Sequence, residues 1–148
     1  MTTRTLAVVS GGLSTPSSTR LLADRLTTAT VAALRERGDD ATVEVVELRT
    51  HARDLADHLV TGFADESLRA AIDTVAGADG LIAVTPVCSA SYGGLFKTFV
   101  DVLDKDSLTG TPVLRREFAA LKPAHVPDAP THASRVAARQ ATKEEVPA

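Results

Sequence analysis

Apolar residues in this chain fall into short continuous runs, separated by longer stretches in which they recur every three or four positions. Leu6 to Val9 and Leu81 to Val84 are runs of the first kind, as expected of strands covered on both faces, and Val43, Val45, Val46 and Leu48, interrupted by Glu44 and Glu47, make a further strand. Between Val9 and Val43, Leu22, Leu26, Ala29 and Ala33 mark the buried face of a helix, with Arg25, Arg35 and Glu36 on its wet side and Gly38 as its stop. Leu68, Ala71, Ile72 and Val75 mark a second helix ahead of Gly77, and Phe96, Phe99, Val100 and Leu103 a third. The resulting order is β-α-β-α-β-α. Strands that alternate with helices run parallel, because parallel neighbours need a crossover between them.

This pattern predicts an α/β fold of the flavodoxin-like, three-layer α/β/α kind with a parallel sheet. In its strand order, 2-1-3-4-5, the winding reverses between strands one and three, and the crevice opened there is where FMN binds in such sheets. The loops leaving those two strands are the unusual ones. Ser10-Gly11-Gly12-Leu13-Ser14-Thr15-Pro16-Ser17-Ser18-Thr19 is dense in hydroxyls and glycine; Thr85 to Lys97 combines Pro86, small residues and the Gly93-Gly94 pair. After Leu114 the pattern fails. Thr111 to Leu114 begins a fourth strand, but Arg115-Arg116-Glu117 follows, so strands four and five are expected to be partly missing and Arg115 to Leu121 to form a short helix. Pro123, Pro127 and Pro130 then break the chain, and Ala133 to Glu145 is rich in Ala, Arg, Lys and Glu. The expected division is a truncated flavin-binding core over 1–114 and a polar helical or disordered tail over 115–148.

A length of 148 residues sets one domain as the expectation. With 16 basic and 19 acidic side chains the net charge is −3, which gives no field that would draw the protein to nucleic acid or to an anionic membrane. A single cysteine precludes an internal disulfide and argues against a cysteine-based zinc site. No apolar run approaches membrane-spanning length, and no secretory segment opens the chain, so a cytoplasmic protein is expected.

The first loop runs straight into a helix, whose N-terminus offers unpaired amides and the positive end of a dipole, worth about 0.3–1 kcal/mol to an anion placed there. Ser10, Ser17, Ser18 and Thr19 would add neutral donors for a phosphate monoester. The plainer reading is that Ser17 or Ser18 caps the helix and the rest is a solvated turn. Neither G-x-x-x-x-G-K-[ST] nor G-x-G-x-x-G occurs, which excludes a P-loop and a standard dinucleotide fingerprint. Cys88, at a strand exit before a helix, has the setting of a phosphatase nucleophile, but the arginine that chemistry needs six positions on is Gly94. A small, mostly buried thiol is the expectation. His51, Asp54 and His58 share a helical face without a metal-ligand pattern, and Lys97 and Asp101 have the spacing of a surface ion pair.

Three blocks resemble the NAD(P)H-dependent FMN reductases: Ser14 to Leu22, Ala78 to Pro86, and Ala90 to Asp101. The resemblance spans roughly residues 5–114 and is nearest to an actinobacterial branch that supplies reduced flavin to luciferase-like monooxygenases; Val60-Thr61-Gly62-Phe63 suits that branch. It implies bound FMN, NAD(P)H as co-substrate, a homodimer or homotetramer, and hydride transfer from the nicotinamide to the flavin. By position, Ser10, Ser17, Ser18 and Thr19 fall on the family's phosphate loop. Pro86, Val87, Cys88 and Ser89 fall on the segment bordering the isoalloxazine, with Ser91 and Tyr92 close behind. Cys88 stands where family members often carry an aromatic residue. The family also has a further glycine-rich loop, a fifth strand and a last helix, and Arg115 to Leu121 resembles that helix as though an internal block were absent. An NAD(P)H quinone or azo-dye reductase, a flavin-binding module without turnover, and an inactive remnant are the competing readings. No single catalytic residue is expected, because hydride transfer between two cofactors asks the protein for geometry rather than for acid–base groups.

Overall fold

The structure, a computed structural model, describes residues 2–118. Strand β1 (Thr3–Ser10) leads into α1 (Ser18–Glu36), β2 (Asp40–Glu47), a 3-10 turn (Leu48–His51), α2 (Ala52–Thr61) and α3 (Glu66–Ala76). Then come β3 (Gly80–Cys88), a two-residue strand β4 (Ser91–Tyr92), α4 (Gly94–Val102) and β5 (Val113–Phe118). The parallel ladder runs β2-β1-β3-β5, with β4 folded back antiparallel on the end of β3. That is the expected order 2-1-3 with a fourth parallel strand at the edge.

Successive side chains of each strand enter opposite layers, as the two-residue period of a pleated sheet requires. Ala7 and Val9 of β1, with Leu81 and Ala83 of β3, pack under α2, α3 and α4 against Leu55, Leu68, Val75 and Phe99. Val8, Ile82 and Val84 face the other way, against Ala23, Leu22 and Leu26 of α1. Among the described residues, three helices therefore cover one face and α1 the other.

Three expectations are corrected. The buried face of α1 is built on Thr19 and Ala23 with Leu22 and Leu26 half-buried, while Ala29 and Ala33 are exposed. The fully buried Ala23 lets the helix lie close to the sheet and sets its rotation, which counting the larger side chains overlooks. A separate helix, α2, precedes α3 where one crossover helix was expected; Gly62, at φ 75°, ends it and allows the chain to turn. The short helix expected over Arg115 to Leu121 is instead strand from 115 to 118, so the core passes 114 and includes all of β5; residues 119–121 and the rest of the tail lie outside the described residues. Arg115 and Arg116 are exposed there, and an edge strand accepts charged side chains that a central strand would not.

Phe99, only 1 % exposed, is the aromatic plug between α4 and the sheet, whereas its neighbour Val100 is 42 % exposed. Phe99→Ala is expected to cost about 3–5 kcal/mol of stability and Val100→Ala no more than about 1 kcal/mol. Urea denaturation ranks the two, and a reversed order would mean that α4 presents a different face.

Candidate functional site

The chain leaving β1 turns to one face of the sheet and the chain leaving β3 to the other, the winding that opens a crevice between strand exits in open α/β sheets. The last paired residue of β1, Ser10, lies opposite Val84, and β3 continues beyond it through Thr85, Pro86, Val87 and Cys88. At about 3.3 Å per residue this overhang is roughly 13 Å long. It was expected to be an irregular loop. Instead Val87 pairs with Tyr92 and Cys88 with Ser91, around a tight turn at Ser89 and Ala90, both with positive φ (49° and 64°).

The base of the crevice is tied together at Gly11. Its amide donates to the carbonyl of Val84 at 2.8 Å, and a Cβ there would stand 3.4 Å from Phe96 Cβ and 3.5 Å from both Pro86 Cδ and Thr85 Cα. At Gly12 a side chain would run into Ser17 Oγ and come within 3.0 Å of Thr19 Cβ, so the loop backbone closes onto the start of α1. Ser17 is the N-cap: its Oγ accepts from the Arg20 amide at 3.1 Å, leaving other first-turn amides unspent. No acidic residue lies in that first turn, so within α1's own first turn nothing negative opposes an anion at the positive end of this 19-residue helix.

Across the crevice, Thr85 is 1 % exposed and its Oγ accepts from the Gly93 amide at 3.0 Å, pinning the hairpin to the start of α4. The predicted residues thus separate into two groups. Ser10 ends β1 beside Gly11, Pro86 lies against Gly11, and Ser17 and Thr19 lie against Gly12 at the start of α1 with Ser18 between them, Ser10 and Thr19 being buried and Ser18 exposed; Val87, Cys88, Ser89, Ser91 and Tyr92 lie along the hairpin arm, all but Val87 exposed. Cys88 is a correction, for it is free and exposed rather than buried, because β3 carries it past the sheet onto the hairpin tip.

Residues absent from the sequence-based set also belong here. Thr85 and Gly11 hold the two loops together, and Arg49, at the end of β2, hydrogen-bonds Thr15 Oγ inside the first loop. The register could have revealed Arg49, since Ser10 pairs with Glu47 and the 3-10 turn after β2 must sit beside the loop after β1. His51 and Asp54 are 3.5 Å apart, but no cluster of three metal-ligating side chains occurs among the described residues. Lys97 pairs with Asp101 at 2.7 Å on the surface of α4, and that carboxylate raises the lysine's pKa.

Two cavities lie at opposite ends of the sheet. One of about 200 Å³ lies beside the hairpin, between Thr85, Tyr92, Lys97 and Arg115. A larger one, about 690 Å³, opens at the opposite end of the strands between Leu6, Leu34, Ile82 and Leu114, on the α1 face of the sheet. It has few polar groups beyond Arg4 and Asp79, and the Asp79 carboxylate is taken by the Thr5 amide at 2.8 Å.

Residues 4–124 match the family model of the NADPH-dependent FMN reductases. An FMN reductase (NADPH) from Pseudomonas aeruginosa is 35% identical over 111 residues, 74% of this chain and 56% of that protein. The NADH-dependent FMN reductase SfnF of Pseudomonas putida is 35% identical over 109 residues, again 74% and 56%. Among solved structures, an oxidoreductase from Corynebacterium diphtheriae superposes with a TM-score of 0.76 at 44% identity, covering 79% of this chain and 64% of that one. The apo form of an NADH:FMN oxidoreductase gives 0.66 at 25% identity, covering 95% and 66%. The fold is therefore the flavodoxin-like fold of flavin oxidoreductases. The chain belongs to the NADPH-dependent FMN reductase family, and it spans about half the length of the curated relatives it matches.

Replacing Thr85 with valine leaves the buried Gly93 amide without its acceptor and is expected to cost about 1–3 kcal/mol, whereas Thr85→Ser keeps it. Equilibrium unfolding of the two variants checks this, and a valine variant as stable as the wild type would contradict it.

Proposed function

We propose that this chain binds FMN with its phosphate at the loop between β1 and α1 and its ring system along the β3–β4 hairpin, and that it passes hydride from NADH or NADPH to that flavin. The observation that carries the reading is the meeting of the two loops at Gly11, beside the first turn of α1, which has no acidic residue of its own. Ser10, Ser17, Ser18 and Thr19 are the proposed phosphate residues. Pro86, Val87, Cys88, Ser89, Ser91 and Tyr92 are proposed to border the ring. Bound flavin supplies the redox chemistry, so these residues serve to orient it and shape access to it.

The names of the relatives support the activity, and both cofactor preferences occur among them, NADPH and NADH. Higher identity to the Corynebacterium chain than to the Pseudomonas proteins favours the actinobacterial branch, in which reduced FMN passes to a luciferase-like monooxygenase. A homodimer or homotetramer is supported by Leu59, Val60 and Phe63 at the end of α2, the last two 88 % and 78 % exposed, a patch of the kind that association covers. None of the described helices is long and apolar enough to cross a membrane, and the cytoplasm is the compartment proposed.

Protein mixed with FMN and desalted is expected to stay yellow, with a dissociation constant of about a micromolar or lower, and to oxidise NADH or NADPH. Colour without oxidation would indicate a flavin-binding module, and colourless protein would overturn the proposal. Gly12→Ala, which drives a methyl group into Ser17, is expected to weaken FMN binding by about tenfold or more, measured by flavin fluorescence titration.

A further inference from the structure

Resting on that FMN reading, we infer that Arg49 is the cation that neutralises the flavin phosphate, a role outside the serine-rich motif. A phosphate monoester carries between one and two negative charges at neutral pH, and hydroxyls and amides alone leave them uncompensated. Among the described residues, the guanidinium groups of Arg20 and Arg49 lie beside the β1–α1 loop. Arg20, in the first turn of α1, is held by Asp24 at 2.8 Å and by Glu47 at 3.5 Å, and its pKa is raised chiefly through the Asp24 hydrogen bond. Its charge is already engaged. Arg49 differs: among the described residues no carboxylate lies within 4.0 Å of it, and its contact is the Thr15 hydroxyl in the first loop.

The segment that carries Arg49 is well anchored. Leu48 before it is fully buried, and Thr50 Oγ donates to the Glu47 carbonyl at 2.8 Å. His51 Nδ1 lies 3.3 Å from Ser67 Oγ and 3.5 Å from Asp54. An exposed guanidinium on an anchored turn beside the loop is placed to offer paired N–H donors to phosphate oxygens. Thr15 acts as a positioning residue for it.

The experiment compares FMN with riboflavin, which lacks the phosphate, on the full chain carrying Arg49→Gln or Arg49→Lys. Fluorescence titration is expected to show wild type favouring FMN over riboflavin. R49Q should lose about tenfold in FMN affinity with riboflavin affinity unchanged, and R49K should retain part of the preference. Raising the salt concentration should weaken FMN binding to wild type more than to R49Q. An FMN-to-riboflavin ratio unaltered in R49Q would overturn the role of Arg49 while leaving the flavin site standing, as would equal losses for both flavins. Wild type binding neither flavin would sink the FMN reading and this inference together. Because Arg49 is exposed, an unchanged melting temperature in R49Q is expected to exclude unfolding as the cause.

Discussion

The candidate site depends on the close approach of two backbones where β1 ends beside β3. The Gly11 amide reaches the Val84 carbonyl, and the space that a Cβ would occupy is bounded by Phe96, Pro86 and Thr85. That contact is possible because the strands are parallel neighbours whose following helices leave for opposite faces. A side chain longer than a methyl group at Gly11 would meet these residues and push the β1–α1 loop away from the hairpin arm. The cradle is thus a property of the sheet's winding as much as of any side chain.

Much of this was legible along the chain. Runs such as Leu6 to Val9 and Leu81 to Val84 reveal buried strands because both faces of a central strand meet apolar layers. Thr3 to Thr5, Asp40 to Thr42 and Arg115 to Phe118 were harder to read, since edge strands and strand ends carry polar residues and their pairing is decided by the neighbour rather than by their own composition. The helical face of α1 was misread for a related reason: burial of Ala23 depends on how near the helix lies to the sheet, and a small side chain gives no hydrophobic signal of its own.

Within the site, the start of α1 was readable because serine and threonine mark helix N-caps, and Ser17 is one. The hairpin was not. Ser89 and Ala90 occupy left-handed backbone positions where glycine, asparagine or aspartate is the usual signal, so a tight turn left no trace in the residues themselves. Arg49 was missed for another reason: its approach to Thr15 joins segments 34 residues apart, and only the β2-β1 register, not any local motif, brings them together.

The central claim is that flavin is held at the C-terminal ends of β1 and β3 and not in the larger apolar cavity at the other end of the sheet. Backbone amide NMR of the chain titrated with FMN tests it most directly. Shifts concentrated at Gly11, Gly12, Ser18, Thr19 and the Val87–Gly93 hairpin are the predicted result; shifts centred on Leu6, Leu34, Ile82 and Leu114 would contradict it.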